Sequence, residues 1–589
     1  MKLNFDLNID KKAFITMLLL SLIFFSVAIT NLGATQIPTN SLKIDSTSTT
    51  GATQEITIVL KEPVFVSQIY FYIKDCQTEN STIKIYTDPS SEWYNFSELV
   101  VDYPFAYMSW NSVDIYQLIQ SIRLEFLSPI NIEISEVALL DQDNQIITTT
   151  ISSITGENSA NLDFNLLIDE QDIVVLPNTY MFDTMFDEVY FTRTADQYLR
   201  SQWPYEWTHP PLGKLIISVG IATFGLNPFG WRIMGVIFGT LLVPIIFLLG
   251  KKMFNSYIGG FSAAFLFTFD FMHFTEARLG ITDTYVIFFS LLSHLFFFIY
   301  LNSVLKKGWK NASVVPLLFS FVFFAFGFST KWLVLFGFLG ELAFLAIMRI
   351  SDVVKNKRDS LSRFYALFDR PYIYVVAFAA IAVSVYFAIY IPDMLAGRSL
   401  TNVIDLQNAM YSYHAAPIGL DHPYSSSGYS WPVIGRPVWL YVNSLPGDMR
   451  STVSLFGNPA VWWTGFIAII SITVFAISKA VYDLKKRVLP KLELSAAFLV
   501  IVFFAQWLPY AFVSRGLFLY HYYVNVPIIC LGSAYFISKY WKYNWVKLVT
   551  LVYFIAVIAL FVLFYPVISG TPTSIVTTEN LRWFDQWVF

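Results

Sequence analysis

Long apolar runs, separated by short polar stretches, make up most of the chain after residue 228, and one further run lies near its start. A helix needs roughly 20 apolar residues to cross about 30 Å of hydrocarbon, so runs of this length predict membrane-spanning helices. The pattern predicts about eleven of them, at residues 13–31, 229–250, 257–273, 284–303, 312–329, 332–349, 372–392, 459–478, 493–512, 517–537 and 546–566. We therefore predict a polytopic α-helical membrane protein.

Between residues 35 and 178 the pattern changes, because no apolar run is long enough to span a bilayer. Alternating stretches such as EITIVLKEPVFVSQIYFYI, STIKIYT, SIRLEFLS and NIEISEVALL are typical of strands, with turn-rich pieces between them. The segment predicts a small antiparallel β-sandwich, inserted after the first helix. It loosely resembles the jelly-roll modules of carbohydrate-binding proteins, and a docking or spacer domain without a ligand is an equally open interpretation.

Composition and charge support this division and give it an orientation. Apolar side chains make up 55% of the chain and charged ones only 14%. Lys and Arg gather in short loops at residues 11–12, 251–252, 306–310, 349–370, 479–491 and 539–547. Since cytoplasmic loops of membrane proteins are rich in these residues, the N-terminus is predicted inside and the active surface outside. A cleaved signal peptide ending near Gly33 is the alternative for the first run.

These patterns divide the chain into consecutive parts. They are a cytoplasmic N-terminus with the first helix (1–34), the outer β-domain (35–178), a charged first-loop segment (179–228), a transmembrane core (229–392), an outer loop (393–458), further transmembrane helices (459–566) and an outer tail (567–589). The run at 212–224, between Pro210-Pro211 and Gly225, is short for a span and predicts an interfacial helix.

Two adjacent acids, Asp187 and Glu188, stand in the charged stretch MFDEVYFTRTADQYLRSQWPYEWTHPPLGK. A third acid, Asp283, is predicted on the same side of the membrane, at the start of another helix. Solvated charge is the ordinary interpretation of the pair, and helix capping that of Asp283. Gathered at one surface, the three carboxylates could instead take part in acid–base chemistry.

Six cations are predicted at or near the outer ends of helices, and we treat them as candidates for binding a lipid phosphate. They are Lys214, Arg232, Arg278, Lys331, Arg436 and Arg515. Arg would bind phosphate through its bidentate fork and Lys as a point charge. Each alone could equally be a snorkelling interfacial residue, and we expect two or three to bind phosphate.

The sequence lacks motifs that are typical of metal, nucleotide or cofactor sites. The histidines show no metal-ligand spacing, and Cys76 and Cys530 stand far apart. No Walker loop or dinucleotide-binding glycine pattern occurs in a strand-to-helix setting. We therefore expect no metal site and no cofactor, and we expect Arg and Lys to take the role that a metal cation has in other sugar transferases. Secondary transport stays open, although its charges usually lie in mid-membrane.

Several motifs in order identify a family. FDEVYF, HPPLGK, GWRIMGVIFGTLLVP with Arg232, EARLGITD and the Lys331-Trp332 pair are followed by QNAMYSYHA, HPYSSSGYSWP, GNPAVWW and LPYAFVSRGLFLYHYYVNVP. Over roughly residues 180–540 this resembles the protein O-mannosyltransferase family, membrane glycosyltransferases of GT-C type that use a polyprenyl-phosphate sugar. The eukaryotic members carry a β-trefoil in a luminal loop, and residues 393–458 are too few for one. The arrangement is therefore similar to a bacterial or archaeal type.

The resemblance implies roles for individual residues. Asp187 matches the catalytic base, Glu188 is positioned to help bind the acceptor, and Asp283 matches an acid that lipid A aminoarabinose transferases also carry. Substrate contacts are expected from the six cations and from residues of the shared motifs, His209, Trp332, His422 and His521. The partners implied are a polyprenyl-phosphate sugar, a Ser/Thr-containing exported protein and the lipid bilayer, without nucleic acid.

The first hypothesis is thus an inverting transferase that moves mannose, or another hexose, to Ser or Thr hydroxyls at the outer face of the cell membrane. The same fold could instead act on a lipid or cell-wall glycan. From other classes, the chain could be a transporter of lipid-linked sugar or a catalytically inactive sugar-binding protein.

Overall fold

The computed structural model describes residues 9–46, 54–79, 81–88, 94–101, 103, 105–156, 163–356, 372–419, 422–486, 493–513 and 515–589. The second half of the basic loop predicted at 349–370, and much of that at 479–491, lie outside these residues. The helices of the described part are α1 Lys11–Ile29, α2 Glu188–Leu199, α3 Leu212–Phe224, α4 Pro228–Phe254, α5 Tyr257–Thr268, α6 Phe271–Ala277, α7 Asp283–Lys307, α8 Val315–Phe328, α9 Val334–Asn356, α10 Tyr372–Ala388, α11 Ile391–Leu395, α12 Leu400–Ala415, α13 Pro459–Lys485, α14 Leu494–Trp507, α15 Val526–Tyr540, α16 Asn544–Ser569 and α17 Ile575–Asn580.

Among the described residues, 8 helices are long and apolar enough to cross a membrane, judged by length and composition. They begin at Lys11, Pro228, Asp283, Val334, Tyr372, Pro459, Leu494 and Asn544, and each coincides with a predicted span. The remaining predicted spans, 257–273, 312–329 and 517–537, coincide with the shorter helices α5, α8 and α15. The protein is therefore a multi-pass membrane protein.

Local capping explains where the shorter helices end. Asp270 accepts a hydrogen bond from the His273 backbone N–H, so its side chain starts α6 and separates it from α5. Residues Leu519–Asn525 form a 3₁₀-helix before α15, which shortens the helix predicted at 517–537. The helix predicted at 212–224 is confirmed as α3, and its interfacial position stays a prediction.

The β-rich domain predicted after the first helix is confirmed. Its strands are β1 Leu42–Ser46, β2 Gln54–Cys76, β3 Ser81–Asp88, β4 Tyr94–Val101, β5 Ser109–Leu127, β6 Ile130–Leu140 and β7 Ile151–Gly156. All pairings are antiparallel, in the order β1-β6-β2-β5-β3-β4, with β7 also on β2. The strands form one connected sheet where separate sandwich sheets were expected, because β2 is long enough to pair with β7 in its first part and β6 in its second. A core of its own fills this domain.

The chain enters and leaves the β-domain at one place, which we call the clasp (residues 31–34 with 180–183). The Ala34 N–H donates to the Met181 carbonyl at 2.8 Å, and the Tyr180 hydroxyl donates to the Asn31 carbonyl. Arg278 donates from the loop after α6 to the carbonyls of Ala28, Thr30 and Asn31, where α1 ends. Arg278 therefore acts as the C-terminal cap of α1.

Strands also pack against α16, the last long helix. Strands β8 Val438–Leu445 and β9 Met449–Leu455 form a hairpin, to which β10 Thr573–Ser574 adds a short third strand. The indole of Trp587 is fully buried and donates to the Ile434 carbonyl at 3.0 Å. The predicted outer loop 393–458 and tail 567–589 therefore pack against each other.

The cap role of Arg278 predicts a stability change. Arg278→Met removes donors from several buried carbonyls, and we expect it to lower the free energy of unfolding by about 3 kcal/mol. Thermal unfolding of the purified protein in detergent measures the loss. Lys43→Met, at a side chain that is 57% exposed, is the matched control and should leave the midpoint unchanged. Equal midpoints for both variants would contradict the cap role.

Candidate active site

The adjacent acids Asp187 and Glu188 open helix α2 and face different surroundings. Phe186, just before them, has φ 52°, a left-handed conformation that is uncommon for a bulky residue and turns the chain into the helix. Asp187 is half-buried at the N-cap position and makes no side-chain capping hydrogen bond, whereas Glu188 is fully buried. Because consecutive helical residues lie about 100° apart, the two carboxylates cannot share one direction.

Glu188 forms a two-pronged ion pair with Arg232 of α4, inside the protein. The Arg232 Nε donates to one carboxylate oxygen at 2.8 Å, and a terminal nitrogen donates to the other at 2.7 Å. The backbone N–H groups of Gly280 and Met185 donate to the same oxygens at 2.7 and 3.0 Å. Four donors fill the lone pairs of this carboxylate, and neither side chain of the pair is exposed.

The remaining donors of Arg232 go to backbone carbonyls of the clasp. They reach Leu32 at 3.1 Å, Tyr180 at 2.9 Å and Asp183 at 2.8 Å. Every N–H of the guanidinium is thereby used, so Arg232 has none left for a phosphate. Glu188 likewise has no free carboxylate oxygen for the predicted contact with the acceptor. Both predictions are corrected: the pair positions the loop that carries Asp187.

Two more of the predicted phosphate ligands face inward. Lys214 is buried, and its ammonium donates to the Glu206 carboxylate at 2.6 Å and to the carbonyls of Glu206 and His209 at 2.9 and 2.7 Å. These contacts use its three N–H groups. Arg278 is buried as the cap of α1. The predicted substrate contacts of Lys214 and Arg278 are therefore corrected, because their donors hold the fold.

Asp283 and Lys331 form the ion pair that faces Asp187. The Lys331 ammonium lies 3.0 and 3.1 Å from the two carboxylate oxygens of Asp283, at the first residue of α7. It also lies 5.2 Å from the ring centre of Tyr520, a cation–π distance. The side chain of Lys331 keeps some exposure, 13%, against 5% for Asp283. This cation can therefore be approached by a ligand.

Electrostatics place a fourth carboxylate, Glu276, in the same group. Glu276 is fully buried in α6, and neither of its oxygens has a hydrogen-bond partner among the described residues. Burial raises its pKa well above the usual range, and the charge of Asp283 raises it further. The raised pKa favours the neutral form of Glu276, and the charge of Lys331 opposes this shift.

Asp187 has the properties of a base tuned to neutral pH. Burial raises the pKa of its carboxyl to about 7, the charges of Asp283 and Glu206 raise it as well, and Lys331 lowers it. A general base works best when its pKa lies near the operating pH. Because its carboxylate is not used for capping, Asp187 is the acid of the pair that a substrate can reach.

The opposite wall holds Arg515 and His414. Arg515 donates to His414 Nδ1 at 2.8 Å, and His414 Nε2 lies 2.8 Å from the Thr208 carbonyl, which requires the neutral ring protonated on Nε2. Burial, His209 and Arg515 lower the pKa of His414 to about 4. A polar cavity of about 340 Å³ lies beside Arg515, lined among others by Ser425, Ser426, Ser427, Tyr429 and Tyr510.

We call the region around Asp187, Asp283, Lys331, His414 and Arg515 the cleft, because these groups influence one another or Tyr520 electrostatically. Tyr520 lies among these groups: its pKa is raised by burial and by Asp187, Asp283 and Glu276, and lowered by Arg515. Trp332 lies on the His414 side, with ring centres 6.1 Å apart, and donates to the Tyr386 hydroxyl at 3.2 Å. The His209 ring lies 5.2 Å from that of His414.

The other predicted contacts lie farther along this wall. His521 is stacked on Tyr520, with ring centres 4.7 Å apart, and its Nδ1 lies 3.0 Å from the Phe518 carbonyl. His422 packs against Phe518 at 4.9 Å. Arg436 is exposed and influences Tyr424 electrostatically. The structure thus brings His209, Trp332, Lys331 and Arg515 to the cleft. Whether these residues, His422 and His521 bind substrate stays a prediction.

A group of side chains with the spacing of metal ligands lies outside the cleft. Within the described residues, the group of His, Cys, Asp and Glu side chains close enough to hold an ion is Glu136, Asp169 and Glu170, in and beside the β-domain. Glu170 already accepts hydrogen bonds from Thr39 and Asn40, and Asp169 from Asn40. The acids of the cleft are not in this group. The expectation of no metal at the site stays a prediction.

The comparisons with known proteins agree with this arrangement. The family described as dolichyl-phosphate-mannose-protein mannosyltransferase matches residues 173–395. The C-terminal four-transmembrane region of protein O-mannosyltransferase matches residues 399–587. The chain belongs to the protein O-mannosyltransferase family. It is therefore a glycosyltransferase, and its β-domain lies before the part of the chain that the family covers.

Similar proteins include bacterial ones and a solved fungal structure. A polyprenol-phosphate-mannose–protein mannosyltransferase of Corynebacterium glutamicum is 24% identical over 64% of this chain and 81% of that protein. One of Mycobacterium tuberculosis is 25% identical over 68% of this chain and 86% of that protein. The Saccharomyces cerevisiae Pmt1-Pmt2 complex bound to the sugar donor superposes with a TM-score of 0.56 at 14% identity, covering 69% of this chain and 89% of that chain. This last likeness shows the GT-C fold.

The sequence analysis missed two residues of the cleft, Glu276 and His414. Both were visible in the motifs EARLGITD and QNAMYSYHA. Glu276 precedes Asp283 in one outer turn, and this nearness was a usable signal. Nothing in the spacing indicates that His414 meets Arg515, because more than 100 residues separate them in the chain.

Because Asp187 and Glu188 have different surroundings, we predict different stabilities for the two variants in which either acid is replaced by its amide. Glu188→Gln replaces a fully paired buried carboxylate, and we expect it to lower the free energy of unfolding by about 3 to 5 kcal/mol, since Arg232 is left as an uncompensated buried charge. Asp187→Asn, one residue away, should leave stability unchanged. Thermal unfolding in detergent compares them. The assignment of positions fails if Asp187→Asn is the less stable variant.

Proposed function

We propose that the chain transfers mannose from a polyprenyl-phosphate carrier to Ser or Thr hydroxyls of exported proteins, with Asp187 as the general base. The family and the names of the similar bacterial proteins support the donor and the protein acceptor. The observation that carries the assignment to Asp187 is its unpaired, half-buried carboxylate beside Lys331 and Asp283, while Glu188 is committed to Arg232. The active site faces outward and the N-terminus lies in the cytoplasm, as the charge distribution favours.

The reaction needs one displacement. Asp187 accepts the proton of the acceptor hydroxyl as its oxygen forms a bond to the anomeric carbon. The bond between that carbon and the phosphate oxygen breaks, and the phosphate leaves on its carrier with the electron pair. Attack opposite to the leaving group inverts the anomeric configuration. The base can act because a pKa of about 7 still leaves part of the carboxyl ionised at neutral pH, and the raised pKa makes that ionised form a stronger proton acceptor than an ordinary carboxylate.

The leaving phosphate is stabilised by cations already present in the cleft. The side chain of Lys331 keeps 13% exposure, and Arg515 lines the polar cavity of about 340 Å³. His414 accepts from Arg515 and so orients its guanidinium. Fixed donors of this kind stabilise charge that develops in a transition state. In this proposal Lys331 and Arg515 replace a metal ion, and no cofactor takes part.

A different acceptor, a lipid or a cell-wall glycan, is the second candidate for the same fold. The similar bacterial proteins are named as protein mannosyltransferases, which favours a protein acceptor. The transporter hypothesis gains no support, because the family is one of glycosyltransferases.

Loss of the base predicts loss of transfer. Asp187→Asn should lower hexose transfer from polyprenyl-phosphate mannose to a Ser/Thr-rich peptide by about 10²- to 10⁴-fold. Mass spectrometry of the peptide measures the product, and circular dichroism checks the fold. Asp585→Asn, at an exposed carboxylate, is the control. Undiminished transfer by Asp187→Asn would remove Asp187 as base, and sugar found only on lipid would favour the second candidate.

The raised pKa of Asp187 predicts a pH profile. A general base must be deprotonated, so kcat/KM should rise with pH below about 7 and level off above it. Lys331→Met should move this midpoint to higher pH, because Lys331 lowers the pKa of Asp187. Initial rates between pH 5 and 9 test both statements. A midpoint unchanged by Lys331→Met would show that another group is titrating.

A further inference from the structure

The β-domain packs against the segment that carries Asp187, on both sides of it along the chain. Before it, the Asp183 carboxylate accepts the Trp110 backbone N–H at 2.9 Å, and the Thr184 N–H donates to the Met108 carbonyl at 3.2 Å. After it, Arg193 of α2 pairs with Asp75 of β2 at 2.8 Å. The start of β5 is thereby fixed beside the active-site loop.

An aromatic cage around Arg193 makes this contact rigid. Its guanidinium carbon lies 5.3, 4.7 and 5.2 Å from the ring centres of Tyr103, Tyr107 and Tyr205. The side chain is only 7% exposed, so these cation–π contacts are largely shielded from water. Tyr103 and Tyr107 belong to the β-domain, and Tyr205 to the segment after α2. The cage therefore joins two parts of the outer surface.

From this cage a row of aromatic side chains extends to the cleft. We call Phe105, Tyr190, Tyr205 and Trp207 the aromatic shelf. The ring of Phe105 lies 6.0 Å from that of Tyr190, which is stacked on Tyr205 at 6.3 Å with an interplanar angle of 8°. Trp207 packs on Tyr413 at 5.7 Å, next to His414 of the cleft.

Two side chains of the aromatic shelf are exposed, although aromatic side chains on a water-facing surface are usually buried. Phe105 is 56% exposed and Trp207 is 37% exposed. Neither is part of an apolar span, since one belongs to the loop before β5 and the other to the loop between α2 and α3. Exposed aromatic groups that are held rigidly and adjoin a site are typical of a binding surface.

We propose that the aromatic shelf binds the polypeptide acceptor in an extended conformation and leads its hydroxyl to Asp187. This rests on the proposed transfer to protein hydroxyls. In the proposed function the carrier phosphate contacts Lys331 and Arg515, and the acceptor hydroxyl must reach Asp187. Tyr190 lies one helical turn after Asp187, and its N–H donates to the Asp187 carbonyl at 3.1 Å. The shelf thus has one member close to the base along α2, and Phe105 of the β-domain packs against that member.

The chemistry of the shelf fits a polypeptide. Flat apolar rings pack against peptide planes and small side chains, and the shelf residues carry no charge that would select an ionic partner. At about 3.3 Å per residue, an extended chain of several residues would cover the row of rings. The β-domain therefore contributes Phe105 to acceptor recognition, in addition to its packing role.

The test uses the purified full-length protein in detergent and a fluorescent Ser/Thr-rich peptide, without donor. We expect Phe105→Ala to weaken peptide binding, measured by anisotropy, about tenfold, as for truncation of an interface aromatic residue. Phe105→Trp should retain affinity. Leu118→Ala, which removes a 58% exposed apolar side chain from β5 of the same domain, is the matched control and should bind like the unchanged protein.

With donor present, Phe105→Ala should raise KM for the peptide about tenfold while kcat and KM for the donor stay unchanged. The shelf proposal is overturned if Phe105→Ala binds and turns over peptide normally, if Leu118→Ala weakens binding equally, or if Phe105 is needed for binding mannan and not peptide. Peptide binding that depends on Phe105 without any hexose transfer would leave the shelf standing and remove the proposed function.

Discussion

The buried ion pair between Glu188 and Arg232 is the interaction on which the rest of the active site depends. An isolated charge is costly in an apolar interior, so each partner is tolerated only because the other is present. Together they contact α2, α4, the turn at Gly280 and the clasp. The loop carrying Asp187 is therefore fixed by a neighbour that takes no part in the chemistry. Positional accuracy at Asp187 follows from this arrangement, since a base must stand within hydrogen-bond reach of the proton it accepts.

The same constraint divides the cations into two groups. Arg232, Arg278 and Lys214 satisfy backbone carbonyls and carboxylates in the interior, and their donors are used up. Lys331 and Arg515 keep access to the cleft, one beside Asp283 and the other beside His414. Some of the predicted cations are thus committed to contacts within the fold, and others lie at the cleft.

Sequence patterns were sufficient for the helices and for most of the site's membership. Apolar run length located the spans because bilayer thickness fixes it, and alternation located the strands of the β-domain. The patterns could not show that Asp187 and Glu188 face different partners, since Arg232 is 44 residues away from Glu188 in the chain. For the same reason Arg278 looked available, whereas the partners of Lys214, Glu206 and His209, lie only eight and five residues before it. The prediction likewise joined the 3₁₀-helix Leu519–Asn525 to α15, because the aromatic side chains of LYHYYVN were counted as part of one apolar run.

The clasp has an evolutionary consequence. Both ends of the β-domain are held by one guanidinium, which binds Leu32 on the incoming chain and Tyr180 on the outgoing chain. A module suspended from a closed junction of this kind can be exchanged, enlarged or lost while the membrane-embedded enzyme keeps its shape. Selection can then act on the module alone. A common catalytic body could acquire new clients by replacing the part of the chain between residues 35 and 178, without any change at Asp187.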